Sequence, residues 1–153
     1  MNWISEMLHN PYLLTALTSW LIAQVLKTII HAVVTKEVDL VRLVGDGGMP
    51  SGHSATVSSL AAISALIDGP QSFAFGATLI LAIIVCHDAM GVRLETGKQA
   101  VVLNEMMASF EAVSKGRFKD VKLKEFVGHT PLQVLAGVAV GIINACILHQ
   151  FFF

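Results

Sequence analysis

The stretch GGMPSGH at residues 47–53 places a histidine and several small residues directly before a long apolar stretch. Gly47 and Gly48 allow the backbone to approach a ligand closely, and Pro50 suits the start of a helix. The amide groups at the N-terminus of that helix would face an anion, and such helix ends commonly bind phosphate. Histidine is the side chain that most often acts as a general acid, so His53 is suited to protonate a leaving alkoxide.

Ser51 and Gly52 complete this loop and are predicted to line the same phosphate site. The Ser51 hydroxyl has two interpretations, since it either donates to a phosphate oxygen or caps the helix that follows. His53 also has a second interpretation, as an interfacial histidine whose hydrogen bonds are satisfied. The choice depends on which other residues the fold brings to the loop.

The composition predicts that this site lies at a membrane. Of the 153 residues, 54% are hydrophobic and 14% are charged, and the mean hydropathy is +0.69. A water-soluble domain of this size is far less apolar, so we expect a membrane protein. The net charge of −1 argues against a nucleic-acid partner. Cys86 and Cys146 both lie in apolar stretches, where two free thiols are expected.

The apolar stretches predict an all-α polytopic membrane bundle, formed by residues 1–153 as a single domain. Four membrane spans are predicted, at residues 11–34, 51–67, 72–90 and 131–153. The second span is rich in Ser and Ala, which suits a helix packed inside the bundle rather than one facing lipid. An additional helix at residues 92–113 has many polar side chains and is predicted to lie on the membrane surface or to cover the site.

The positive charges predict the orientation of these spans. All the Lys and Arg residues that lie outside the spans belong to the first and third loops: Lys36, Arg42, Arg93, Lys98, Lys115, Arg117, Lys119, Lys122 and Lys124. By the positive-inside rule both loops are cytoplasmic and both termini lie outside. This topology would bring GGMPSGH, the end of the third span and the stretch VGHTP to the cytoplasmic side.

Two of these motifs carry a family resemblance. PSGH at residues 50–53 and HTPLQVLAG at residues 129–137 resemble the second and third signatures of the type 2 phosphatidic acid phosphatase superfamily. The longer phrases GGMPSGHSA, DAMGVRLETGKQAVVLNE and GHTPLQVLAG look like its divergent branch of small membrane proteins. The resemblance implies that His129 attacks phosphorus and that His53 is the acid. It also implies chemistry that uses neither a metal nor another cofactor.

The third signature departs from the superfamily pattern at two positions. The usual arginine and aspartate are replaced by Leu123 and Gln133. Gln133 can orient the imidazole of His129 through its carbonyl group, but it brings no negative charge to stabilise an imidazolium. A carboxylate from elsewhere would restore that charge, and the candidates are Asp88 and Glu125.

Several basic residues are candidates for the phosphate-binding charge. The first signature is imperfect, because Lys36 and Arg42 are separated by five residues and Leu43 follows in place of proline. Lys27, inside the first span, is predicted to supply a charge, with snorkelling to the interface as the alternative.

Two further cations follow the third span. Arg93 is predicted to replace the absent arginine because its planar guanidinium suits phosphate oxygens, with positive-inside anchoring as the alternative. Lys98 is a second candidate for this role.

These observations predict a phosphatase that hydrolyses a phosphomonoester or pyrophosphate of a membrane lipid at the cytoplasmic face. The family resemblance suggests phosphatidic acid, phosphatidylglycerophosphate and polyprenyl pyrophosphates as substrates. A bacterial plasma membrane is the expected location, and a homodimer would complete a small bundle of four spans. The alternative function is a non-catalytic binder or carrier of phosphorylated lipids, which Gln133 favours.

Overall fold

A computed structural model of the chain describes residues 2–37, 48–114, 123 and 128–153, apart from the side chains of residues 111–114. Within these residues the secondary structure is entirely helical, which confirms the predicted fold class. The six helices are α1 (Trp3–Leu8), α2 (Pro11–Thr35), α3 (Gly52–Asp68), α4 (Phe73–Met90), α5 (Val92–Ser114) and α6 (Pro131–Phe152). The predicted spans therefore correspond to α2, α3, α4 and α6, and the predicted additional helix is α5.

Side chains cap the N-termini of α2, α3, α4 and α6. The Asn10 side chain accepts hydrogen bonds from two backbone amides at the start of α2. Ser51, Ser72 and Thr130 cap α3, α4 and α6 in the same way. A cap satisfies amide groups that have no partner within the helix, so these residues determine where each helix begins.

Helix α3 lies at the centre of the bundle and packs against α2, α4 and α6. Its closest neighbour is α6, because Gly137 and Gly141 face it without side chains. A Cβ atom at Gly137 would collide with the Ser51 carbonyl oxygen, and one at Gly141 would collide with the Ala55 carbonyl oxygen. The glycine spacing therefore serves close packing of α6 against α3.

Polar side chains join α2, α3 and α6 inside the bundle. The Asn144 amide donates to Ser19 Oγ at 2.8 Å and to Thr18 Oγ1 at 3.0 Å. Ser59 Oγ donates to the Thr15 carbonyl oxygen at 3.4 Å. Such bonds are favoured where no water competes, so they help to hold the three helices in register.

Three helical stretches are long and apolar enough to cross a membrane: Pro11–Thr35, Phe73–Phe110 and Pro131–Phe152. The fourth predicted span, α3, has 17 residues and rises about 26 Å, somewhat less than the ~30 Å hydrocarbon core. It is surrounded by the other helices, which agrees with its predicted place inside the bundle. The second stretch joins α4 to most of α5 across Gly91.

Candidate active site

The two predicted motifs meet where α3 and α6 begin and α4 ends. The Ser51 amide donates to the Gln133 carbonyl oxygen at 3.0 Å, and the His129 amide donates to the Ala89 carbonyl oxygen at 2.9 Å. The ring centroids of His53 and His129 lie 6.3 Å apart, with the ring planes inclined by 58°. The fold therefore brings together two histidines that are 76 positions apart in the sequence.

His129 is held by the first turn of α6. Its Nδ1 lies 3.3 Å from Gln133 Oε1, which also accepts a hydrogen bond from the Thr130 amide at 3.0 Å. Thr130 Oγ1 in turn accepts from the Gln133 amide, so Thr130 and Gln133 form a capping box. Because Gln133 Oε1 can only accept, a hydrogen bond to it requires the proton on Nδ1. In the neutral imidazole the lone pair then lies on Nε2.

The two histidines differ in their exposure. His129 is only 5% exposed, whereas His53, in the first turn of α3, is exposed to the surroundings. A buried imidazole is oriented by its neighbours, and an exposed one can exchange protons with water. This difference suits a positioned nucleophile facing a proton donor.

The loop before α3 has a clear structural role for Ser51. Ser51 is fully buried, and its Oγ accepts hydrogen bonds from the Ser54 amide at 3.3 Å and from Ser54 Oγ at 3.0 Å. Of its two interpretations, the structure supports helix capping. Gly52 lies buried beside Trp20, and Gly47 lies outside the described residues.

Lys27 reaches the same loop from α2. It is only 4% exposed, and a Cβ atom at Gly48 would lie 3.0 Å from the Lys27 Cδ atom. Gly48 also has a φ of 85°, a conformation that strongly favours glycine. Lys27 is therefore packed against the loop at Gly48 rather than extended along the exterior of the bundle.

Arg93 and Asp88 flank the end of α4 and form an ion pair, with Arg93 Nε 2.7 Å from Asp88 Oδ2. Their side chains are 53% and 43% exposed. Ala89, next to Asp88, accepts the hydrogen bond from the His129 amide. The Arg93 backbone also lies against Gly128, the residue before His129, so the ion pair flanks the nucleophile candidate.

Lys98 lies on α5, more than one helical turn beyond Arg93. Its Nζ is 2.6 Å from Glu95 Oε1, and the two side chains are 63% and 59% exposed. This is a solvent-facing pair between neighbours on one helix. Glu125 and Arg42, the other charged candidates, lie outside the described residues.

Sequence reasoning missed two residues that position His129. Gly128 has a φ of 85°, and a Cβ atom there would collide with the Leu94 backbone nitrogen. Thr130 forms the capping box with Gln133, and the pattern T-x-x-Q before an apolar stretch is a readable signal for it. The contact between Gly128 and Leu94 has no comparable signal, because it joins backbone atoms of distant segments.

The comparisons with known proteins agree with the motifs that meet here. Residues 8–144 match a family described as the Divergent PAP2 family. A Bacillus subtilis (strain 168) protein, Uncharacterized membrane protein YuiD, is 36% identical over 156 residues, which cover 96% of this chain and 99% of that protein. No solved structure matches the chain. The predicted resemblance is thereby confirmed: this integral membrane protein belongs to the Divergent PAP2 family.

Proposed function

We propose that this protein is a lipid phosphatase that hydrolyses a phosphomonoester or pyrophosphate of a membrane lipid through a phosphohistidine. The observation that carries the proposal is the arrangement of His129, with Gln133 Oε1 at its Nδ1 and His53 facing it at 6.3 Å between ring centroids. At that separation the two imidazoles are close enough to act on the same phosphoryl group.

The reaction has two steps. In the first, the lone pair on His129 Nε2 forms a bond to phosphorus, the bond from phosphorus to the ester oxygen breaks, and His53 donates its proton to that leaving oxygen. In the second, a water molecule attacks the phosphohistidine while neutral His53 takes a proton from it. The bond between nitrogen and phosphorus then breaks, which releases inorganic phosphate and restores His129.

The phosphate oxygens need positive charge and hydrogen-bond donors as the reaction proceeds. The proposed donors are Lys27, Arg93 and the backbone amides of the loop at Gly47, Gly48 and Gly52. Arg93 would exchange its carboxylate partner, Asp88, for a phosphate oxygen when substrate binds. Ser51 supports the loop as a helix cap, and Lys98 is left out of this set because it lies more than one helical turn beyond Arg93 on α5.

Gln133 is the residue that separates this protein from the usual superfamily pattern. A neutral amide orients the imidazole but does not stabilise the positive charge that develops on it during phosphorylation. We therefore expect slower turnover than a carboxylate would support, unless Asp88 approaches the imidazole when Arg93 turns to the phosphate.

The alternative function is a non-catalytic binder or carrier of phosphorylated lipids. Gln133 favours it, because loss of the carboxylate would abolish turnover before it abolished phosphate binding. The alternative predicts that lipid phosphates bind without releasing phosphate, and that binding survives the substitution His129→Ala.

The orientation and surroundings of the enzyme are also part of the proposal. The distribution of Lys and Arg supports a site at the cytoplasmic face of a bacterial plasma membrane, with both termini outside. A homodimer would add helices beside the exposed faces of α4 and α5. Chemical labelling of single cysteines from each side of sealed vesicles tests the orientation.

The decisive experiment measures phosphate release by the purified protein, with a chelator present, from phosphatidic acid, phosphatidylglycerophosphate and a polyprenyl pyrophosphate. Wild type is compared with His129→Ala and His53→Ala, and His9→Ala, at the exposed residue that follows α1, is the matched control. We expect both site variants to lose turnover of one lipid while the control keeps it. Binding without release in wild type would instead support the carrier.

A further inference from the structure

An apolar groove with a volume of about 320 Å³ opens between α3, α4 and α6. Leu79, Ile83 and Cys86 of α4 form one wall, and Ile142 of α6 lies among the residues opposite. Ser58 contributes the groove's hydroxyl group, but this hydroxyl already donates to the Ser54 carbonyl oxygen at 2.6 Å. The groove therefore offers van der Waals contact and almost no hydrogen bonding to an occupant.

The groove begins close to the candidate active site. Cys86 precedes Ala89 by three residues, and Ala89 accepts the hydrogen bond from the His129 amide. Ser58 follows His53 by five residues on α3. At ~1.5 Å of rise per residue, the groove starts about 5 Å from the site along α4 and about 8 Å along α3. A short polar linkage would bridge that distance.

The groove then follows α4 away from the site. Its lining extends from Cys86 to Phe75, which are eleven residues apart and separated by about 16 Å of helical rise. This length is about half of the ~30 Å hydrocarbon core of a bilayer. One end is thus next to a site for an anion, and the rest lies at the depth of lipid chains.

We infer that this groove binds one hydrocarbon chain of a phosphorylated lipid whose phosphate is bound beside His53 and His129. The inference rests on the proposed function, and it specifies the substrate as an amphiphile with a terminal phosphate and a chain that enters the bundle. A helix from a second copy does not fit, because a helix is ~10 Å across and needs several times this volume over the same length. A single chain matches both the shape and the apolar lining.

The groove predicts how the chain length of a substrate affects its binding. Because the chain comes from a bilayer as apolar as the groove, each methylene gains van der Waals contact with the protein rather than hydrophobic transfer energy, until the chain reaches Phe75. Longer chains would extend into the membrane and gain nothing more from the protein. A water-soluble phosphate would use the histidine site but not the groove.

A pair of variants on α4 tests this selection. Leu79 lines the groove and is 40% exposed, whereas its neighbour Ile80 does not line the groove and is 61% exposed. Leu79→Trp should fill the groove and exclude two or more methylenes. It should therefore lower the ratio of long-chain to dibutanoyl phosphatidic acid turnover, because only the long chain loses contacts in the groove. The matched control Ile80→Trp should leave the ratio unchanged, and an equal change in both variants would overturn the inference.

A second measurement does not depend on turnover. Wild-type protein in lipid nanodiscs is exposed to phosphatidic acid with a photoreactive diazirine in one chain, and the labelled residues are identified by mass spectrometry. We expect label on Leu79, Ile83 and Cys86, and we expect it to decrease with unlabelled phosphatidic acid but not with diacylglycerol. Label on Ile80 and Ile84 instead, or equal competition by both lipids, would contradict the inference.

The two measurements separate the groove from the proposed reaction. Label in the groove without phosphate release would support chain binding in the groove and refute the proposed hydrolysis. The carrier function would then be the remaining one. Phosphate release with label outside the groove would support the proposed hydrolysis and overturn the inference that the groove binds the chain.

Discussion

The interior formed by α2, α3 and α6 differs from the edge formed by α4 and α5 in how it is held together. The interior relies on close packing of small residues and on buried hydrogen bonds such as that from Asn144 to Ser19. At the edge, α5 contacts α4 alone among the described helices, and its ion pairs face outward. His129 belongs to both regions, because α6 packs in the interior while the His129 amide bonds to Ala89 of α4.

This difference indicates that the two regions have different roles. The interior should determine whether the bundle folds, and the edge should determine where the nucleophile lies. Substitutions that damage the two regions should consequently affect different measurements. Four predictions test that separation, in order of decreasing expected effect.

The largest effect is expected for Gly141→Leu in the interior. A side chain there would collide with the Ala55 carbonyl oxygen and with Ser58 Oγ, so α6 could not approach α3. Overpacking of this kind typically costs about 1–3 kcal/mol and sometimes more, and here backbone atoms cannot move aside. Thermal unfolding in detergent should show a large fall in stability. Gly76→Leu on α4 is the control, since nothing lies within 4 Å of its added Cβ, and an equal fall there would refute the comparison.

The second prediction concerns the edge, where Gly128→Ala should reduce activity more than stability. Its Cβ would collide with the Leu94 backbone and displace the adjacent His129. A shift of ~1 Å in a reacting group can cost about 100-fold in rate. Gly69→Ala is the matched control, because Gly69 has the same φ of 85° but no atom within 4 Å of an added Cβ. If the two variants lost activity equally, backbone strain rather than the contact would be the cause.

The third prediction tests the role of Gln133. Its side chain contacts His129, and its carbonyl oxygen accepts the hydrogen bond from the Ser51 amide. Gln133→Glu keeps the capping pattern and places a carboxylate beside His129 Nδ1. Because a carboxylate favours the charged imidazole, the acidic limb of the pH-rate profile should move to higher pH. Above that limb the rate should rise, since the developing imidazolium is stabilised.

The counterpart Gln133→Ala removes both the orienting oxygen and half of the capping box. We expect its activity to fall by about 10-fold to 100-fold across the pH range. A Gln133→Glu enzyme with the wild-type pH-rate profile would show that Gln133 does not act on His129.

The smallest effects should distinguish the two exposed cations of the edge. Arg93→Gln should lower kcat/KM by about tenfold or more, as expected for loss of a charged hydrogen bond to phosphate. Lys98→Gln removes only an exposed pair with Glu95, which is typically worth less than about 1 kcal/mol. Steady-state kinetics of both variants test the assignment, and a larger loss for Lys98→Gln would reverse it.

Much of the site could be predicted because it is encoded in short motifs. PSGH and HTP each contain a histidine near a helix start, and the apolar stretches indicate which helices carry them. Some polar side chains have two chemically reasonable roles, and the sequence did not decide between them. Ser51 caps α3 and Arg93 pairs with Asp88, and neither outcome follows from residue type alone.

The sequence by itself determined the membrane class, the helices and the family, because composition, hydrophobic periodicity and short motifs are properties of neighbouring residues. Only the tertiary structure decided that Gln133 and Ser51 share a hydrogen bond, that Ala89 holds the His129 amide, and that a groove begins beside them. These features join backbone atoms or packed surfaces of segments far apart in the chain. Such contacts depend on how closely the helices approach, which no local pattern records.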